Sequence, residues 1–80
     1  MKKIIVTGGL GFIGSNLIEL LLKKKFKVIN IDKVSYSSSF YNTREFSKNR
    51  NYKFIKCNIN EDAITNIFLK FKPSCIFNLA

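Results

Sequence analysis

IIVTGGLGFIG, residues 4–14, runs from a short apolar stretch straight into glycines. The chain has only 4 Gly, and all of them fall in this one place. Clustered backbone freedom of this kind implies that something approaches the main chain too closely for a side chain. Ile4 to Thr7 reads as a buried parallel strand that the glycines end. Phe12 to Lys25 then carries Ile13, Leu17, Leu20 and Leu21 at helical spacing, with Glu19 and Lys23, Lys24 and Lys25 between or after them. That pattern predicts an amphipathic helix with this stripe against a sheet. The glycines therefore lie at a strand-to-helix junction, where free N–H groups and the positive end of the helix dipole can hold a pyrophosphate by backbone alone. Gly8 is expected to permit the tight turn, Gly11 to admit the phosphates, and Gly14 to let the helix pack close to the strands. Gly9, Gly11 and Gly14 also satisfy G-x-G-x-x-G, so the spacing leaves open which of Gly8 and Gly9 makes the turn.

Val28 to Ile31 predicts a second strand, closed by Asp32. Ser35 to Asn51 is rich in Ser, Asn, Tyr and charge and reads mostly as loop, with one helical turn around Arg44 to Lys48. Tyr52 to Cys57 predicts a third strand. Asn60 to Phe71 has Ile64, Ile67, Phe68 and Phe71 at helical spacing, with Asn60, Glu61 and Asp62 at its start as capping and acidic residues. Pro73 stands just past its end as a stop. Cys75 to Leu79 predicts a fourth strand. Strands alternating with helices imply a parallel sheet with right-handed crossovers, an α/β doubly wound fold.

Asp32 gives the glycines their context. It stands near the ~20-residue distance at which a carboxylate binds the adenosine ribose of a dinucleotide. A carboxylate accepts both ribose hydroxyls and repels a 2′-phosphate, which argues for NAD over NADP. Lys33 beside it weakens that preference slightly. Without a ligand, Asp32 would be a turn residue after a strand. The phosphate loop G-x-x-x-x-G-K-[ST] is not met, because Gly14 is followed by Ser15 and Asn16.

The remaining composition narrows the class. The 80 residues suffice for one small domain with a thin core. No apolar run approaches the ~20 residues of a membrane helix, and Lys2 and Lys3 lead into too short a run for a signal peptide. Cys57 and Cys75 are expected to be small buried hydrophobes of a cytoplasmic protein. With His 0, neither a His-based metal site nor a Ser–His pair can be built from these residues. The net charge of +9 could mark an anionic partner. The lysines look scattered, however, and read as a solvated surface rather than a nucleic-acid footprint. Lys23, Lys24 and Lys25 suit a helix end.

With TGGLGFIGSNL (Thr7 to Leu17) and Asp32 in place, the chain resembles the extended short-chain dehydrogenase/reductase superfamily of nucleotide-sugar enzymes. DKVSY (Asp32 to Tyr36), YKFIKCNINE (Tyr52 to Glu61) and FKPSCIFNLA (Phe71 to Ala80) resemble segments of its dTDP-glucose 4,6-dehydratases. UDP-glucose 4-epimerases and sugar decarboxylases share the first fingerprint. The resemblance implies the N-terminal part of a Rossmann-type sheet with strand order 3-2-1-4. It implies NAD as cofactor, with Phe12 and Ile13 on the pyrophosphate through their backbone and Asp32 on the ribose. Lys33, Val34 and Ser35 would flank the adenine half, Asn58 and Ile59 would edge the adenine, and Leu79 and Ala80 would lie under the cofactor. The family usually has Asp where this chain has Asn58, whose carbonyl can still accept a hydrogen bond from the adenine amino group. A nucleotide-sugar substrate and a homodimer of the complete protein are also implied.

Tyr52 and Lys56 mimic the superfamily's catalytic Tyr-x-x-x-Lys spacing. That chemistry needs a helix, where i and i+4 share a face. In the strand read here they lie about 13 Å apart. No catalytic residue is therefore assigned, and Tyr36 and Tyr41 read as loop aromatics. A dehydratase, oxidising its sugar at C4, losing water across C5 and C6 and returning the hydride, would draw its catalytic residues from beyond Ala80. The 80 residues alone are expected to be inactive, and their fourth strand to be an exposed, aggregation-prone edge. A non-catalytic dinucleotide-binding module is the alternative class.

Overall fold

The structure is a computed structural model and describes residues 2–34, 40–57 and 62–79. The elements run β1 (Lys3–Thr7), α1 (Phe12–Lys23), β2 (Lys27–Asp32), a 3-10 turn (Phe40–Thr43), β3 (Tyr52–Lys56), α2 (Ala63–Phe71) and β4 (Cys75–Asn78). The four strands form one parallel sheet in the order β3-β2-β1-β4. This is the doubly wound arrangement expected from the sequence. β1 sits inside it because its side chains, from Ile4 to Thr7, are buried on both faces.

The two helices cover opposite faces. On one, Ile18, Leu21 and Leu22 of α1 pack on Ile4, Val6 and Val28. On the other, Ile64 of α2 joins Ile5, Ile29 and Ile31, with Ile67, Phe68 and Phe71 against the cluster. The apolar spacing of α2 thus holds as read.

The phase of α1 does not. Ile13 and Leu20, two of the four positions expected on the sheet, are exposed at 74% and 50%. The buried face is Gly14, Ser15, Ile18, Leu21 and Leu22. Its first turn lies against the glycine loop, where only small residues fit, so the large side chains there point to solvent. The expected helical turn also moves: it falls at Phe40–Thr43 rather than around Arg44 to Lys48, which form hydrogen-bonded turns instead. Phe46 from that segment is buried in the α1-side core and meets Tyr52 edge-on at 4.9 Å between centroids. A stretch read as loop therefore supplies a core residue.

Asp62 precedes α2 with helical backbone angles and no side-chain cap bond, contrary to the capping expected of it. Asn60 and Glu61 lie outside the described residues. Both helices end on lysines in the left-handed region, Lys25 at φ 70° and Lys72 at φ 52°. Cys57 is buried as expected, but Cys75 is exposed, because β4 is an edge strand; neither is in a disulfide. The lysines are less scattered than the sequence suggests. Lys3 and Lys27 are register partners, and Lys2, Lys24, Lys25 and Lys72 flank the same strand starts. A βαβ chain returns each helix C-terminus to that end, where the dipole favours cations.

Candidate functional site

The glycine loop leaves β1 at the opposite, C-terminal end of the strands. Gly8 has φ 76°, so it is Gly8 that makes the turn; its N–H donates to the Ile31 carbonyl at 2.8 Å. Gly9 is glycine for a different reason. A Cβ there would sit 2.3 Å from Asn30 Oδ1 and 2.5 Å from Ile18 Cδ1. A Cβ on Gly14 would sit 2.6 Å from the Gly8 carbonyl oxygen and 2.8 Å from Gly9 Cα. Gly14 thus allows α1 to approach the loop itself, not the strands as the sequence reading had it.

Gly11 differs from both. It is the N-cap of α1, extended at φ −73° and ψ 170°, with no side-chain cap bond. A Cβ there meets only the Gly8 carbonyl oxygen, at 3.6 Å. The space over Gly11 is therefore open, and it adjoins the helix start. The N–H groups of Phe12, Ile13 and Gly14, in the first turn of α1, have no intrahelical acceptors. The Phe12 and Ile13 side chains point away into solvent, so these two residues offer backbone only. An anion resting on Gly11 would meet amides and the positive helix end.

Three buried or half-buried side chains brace this loop. Asp32, 6% exposed, accepts from Leu10 N–H through Oδ2 at 3.1 Å and from Val34 N–H through Oδ1 at 2.8 Å. The carboxylate that the sequence places near a ribose thus also organises the loop and the exit from β2. The second bond holds Val34 at φ 60°, an unusual conformation for a β-branched residue. Asn30, wholly buried, accepts from Gly9 N–H at 2.9 Å and donates through Nδ2 to Tyr52 Oη at 3.1 Å. Asn42 donates to the Leu10 carbonyl at 3.0 Å. Asn30 and Asn42 were missed by the sequence reading. Asn30 did leave a signal: a polar residue inside the apolar run VINI must find buried partners. Asn42 left none, because loop asparagines are common.

The remaining predicted residues divide. Lys33 is exposed beside Asp32. Leu79 is 43% exposed and donates its N–H to the Thr7 carbonyl at 2.9 Å, so it lies at the same end as the loop. Next to it Thr7 Oγ1 donates to Asn78 Oδ1 at 2.7 Å. Ser35, Asn58, Ile59 and Ala80 lie outside the described residues, as does Tyr36. Tyr52 and Lys56 open and close β3, which removes them from any helical Tyr–Lys pair. Tyr41 is exposed with the Arg44 guanidinium 3.7 Å over its ring. Among the described residues, no helix is long and apolar enough to cross a membrane.

Comparison with known proteins places this geometry in a group. The family model for GDP-mannose 4,6 dehydratase matches residues 5–80. The dTDP-glucose 4,6-dehydratase of Haemophilus influenzae is 43% identical over 82 residues, covering 100% of this chain and 24% of the relative. The crystal structure of dTDP-glucose 4,6-dehydratase from Bacillus anthracis in complex with NAD superposes with a TM-score of 0.93 at 34% identity, covering 100% of this chain and 27% of that one. UDP-glucose 4-epimerase from Thermotoga maritima, solved with UDP-glucose, superposes with a TM-score of 0.83 at 37% identity over 98% of this chain and 24% of that one. The chain thus spans about a quarter of the length of the relatives it matches.

Proposed function

This chain belongs to the GDP-mannose 4,6 dehydratase family, and on that premise we propose that residues 1–80 are the N-terminal NAD-binding part of a nucleotide-sugar dehydratase of the dTDP-glucose 4,6-dehydratase type. The observation that carries the reading is Gly11 at the start of α1, where a Cβ would meet only the Gly8 carbonyl oxygen, on a loop braced by Asp32. The pyrophosphate would rest on the Phe12 and Ile13 amides, and the Asp32 carboxylate would take the adenosine ribose. Lys33, Val34, Ser35, Asn58 and Ile59 would border the adenosine, with Leu79 and Ala80 beneath the cofactor. Bound NAD would supply a hydride acceptor. The complete protein would oxidise its sugar at C4, release water across C5 and C6 and return the hydride, using catalytic and substrate-binding residues outside these 80. The chain's own part is to hold and orient the dinucleotide.

The match to the Thermotoga maritima epimerase favours a second outcome on the same cofactor, epimerisation at C4. Product analysis separates the two: a 4-keto-6-deoxy sugar supports the dehydratase and a C4 epimer the alternative. A cytoplasmic homodimer belongs to the same reading, supported by family membership and two cysteines outside any disulfide; light scattering tests the dimer. Calorimetry on the complete protein tests the core of the proposal. NAD should bind at least tenfold more tightly than NADP, and Asp32→Asn should narrow that ratio. No affinity for either dinucleotide would overturn it.

A further inference from the structure

Asn30 and Asn42 are not isolated braces. Asn30 Oδ1 must face Gly9 N–H, so its Nδ2 is committed to Tyr52 Oη. Thr43, beside the Tyr52 hydroxyl, gives its own proton to the Phe40 carbonyl at 3.0 Å. Gly9 N–H, the Asn30 amide and the Tyr52 hydroxyl thus form a chain in which each bond polarises the next. Asn42, adjacent to Thr43, returns to the loop at the Leu10 carbonyl. The glycine loop is thus held from β2 and β3 through Asn30 and Tyr52, and separately from the 3-10 turn through Asn42.

We propose that Tyr52 is a positioning residue for the dinucleotide loop, acting through Asn30: its hydroxyl on β3 holds the Asn30 amide, which sets Gly9 N–H. The role rests on the proposed dinucleotide reading, and it gives Tyr52 a function unrelated to the catalytic pair its spacing mimics. A phenylalanine would fill the ring's place against Phe46 but would leave the Asn30 amide free to turn.

The test combines affinity and amide exchange on the complete protein. Tyr52→Phe should weaken NAD binding about threefold to tenfold, the scale of one buried hydrogen bond. Without ligand, it should speed exchange at the Gly9 amide about tenfold while Ile5 and Ile29 keep their protection. Asn30→Ala should cost more, and Asn30→Ala with Tyr52→Phe should bind no worse than Asn30→Ala alone, since the tyrosine acts through the amide. Additive losses in the double variant would overturn the proposal. So would wild-type affinity and wild-type Gly9 exchange in Tyr52→Phe. If the wild-type protein bound no dinucleotide, the functional reading would fall, and the Gly9 exchange rates would still decide the positioning role. If Asn30→Ala did not fold, the affinity and Gly9 exchange rate of Tyr52→Phe would carry the test.

Discussion

Gly9, Gly11 and Gly14 belong to one motif, yet they should fail differently when a methyl group is added. At Gly9 and Gly14 the methyl would land within 3 Å of a buried side chain or the loop backbone, and overpacking of this kind costs about 1–3 kcal/mol or more. Gly9→Ala and Gly14→Ala should each lower the thermal midpoint. At Gly11 the methyl meets one atom at ordinary contact distance, and its backbone angles suit any residue. Gly11→Ala should melt like the wild type and bind NAD at least tenfold more weakly, because the methyl occupies the space over the helix start. Thermal denaturation and calorimetry on the three variants check this. An equal loss of stability in Gly11→Ala would mean that the motif is shaped by packing alone.

At the scale of elements, the helix ends combine a good charge with a poor backbone residue. Lys25 and Lys72 sit at positive φ, one past the cap of α1 and the other at the cap of α2. Cations suit a helix C-terminus, but the left-handed region costs an ordinary residue about 1 kcal/mol relative to glycine. Lys25→Gly and Lys72→Gly should each raise stability by about 0.5–1 kcal/mol, seen as a higher urea midpoint at unchanged slope. A fall in the midpoint would show that the lysine stems contribute more by packing than the backbone loses. The same scale explains the misread phase of α1. Large apolar residues reveal a buried face only where large residues fit, and its first turn is seated by Gly14 and Ser15. α2 has no such neighbour, and Ile64, Ile67, Phe68 and Phe71 give its packing directly.

Across the whole molecule, the half-buried Tyr52 hydroxyl couples folding to pH. Burial pushes the Tyr52 phenol above its ordinary 10.0; its bonds with Asn30 and Thr43 pull it back, and the nearby Asp32 charge pushes it up. The unfolded phenol ionises first, so above pH 10.0 the unfolded state binds fewer protons than the folded one. The stability this group contributes is therefore complete below 10.0 and is lost as pH rises through the raised value. Urea midpoints should fall above that pH more steeply in the wild type than in Tyr52→Phe. Parallel curves would show that the phenol ionises alike in both states.

The alternation of strands and helices, the turn at the glycines and the carboxylate closing β2 were legible in the residues, because apolar period and glycine placement act locally, whereas the strand order came with the family resemblance. Which glycine turns, which meets a buried side chain and which faces open space depended on what the fold brings opposite each. So did the roles of Asn30, Asn42, Tyr52 and Phe46. Their partners lie on other elements, between 21 and 32 residues away for the Asn30 and Asn42 bonds, and no local pattern carries information over that distance. Hydrogen-bond satisfaction in a buried interior is settled only when the chain has closed around it.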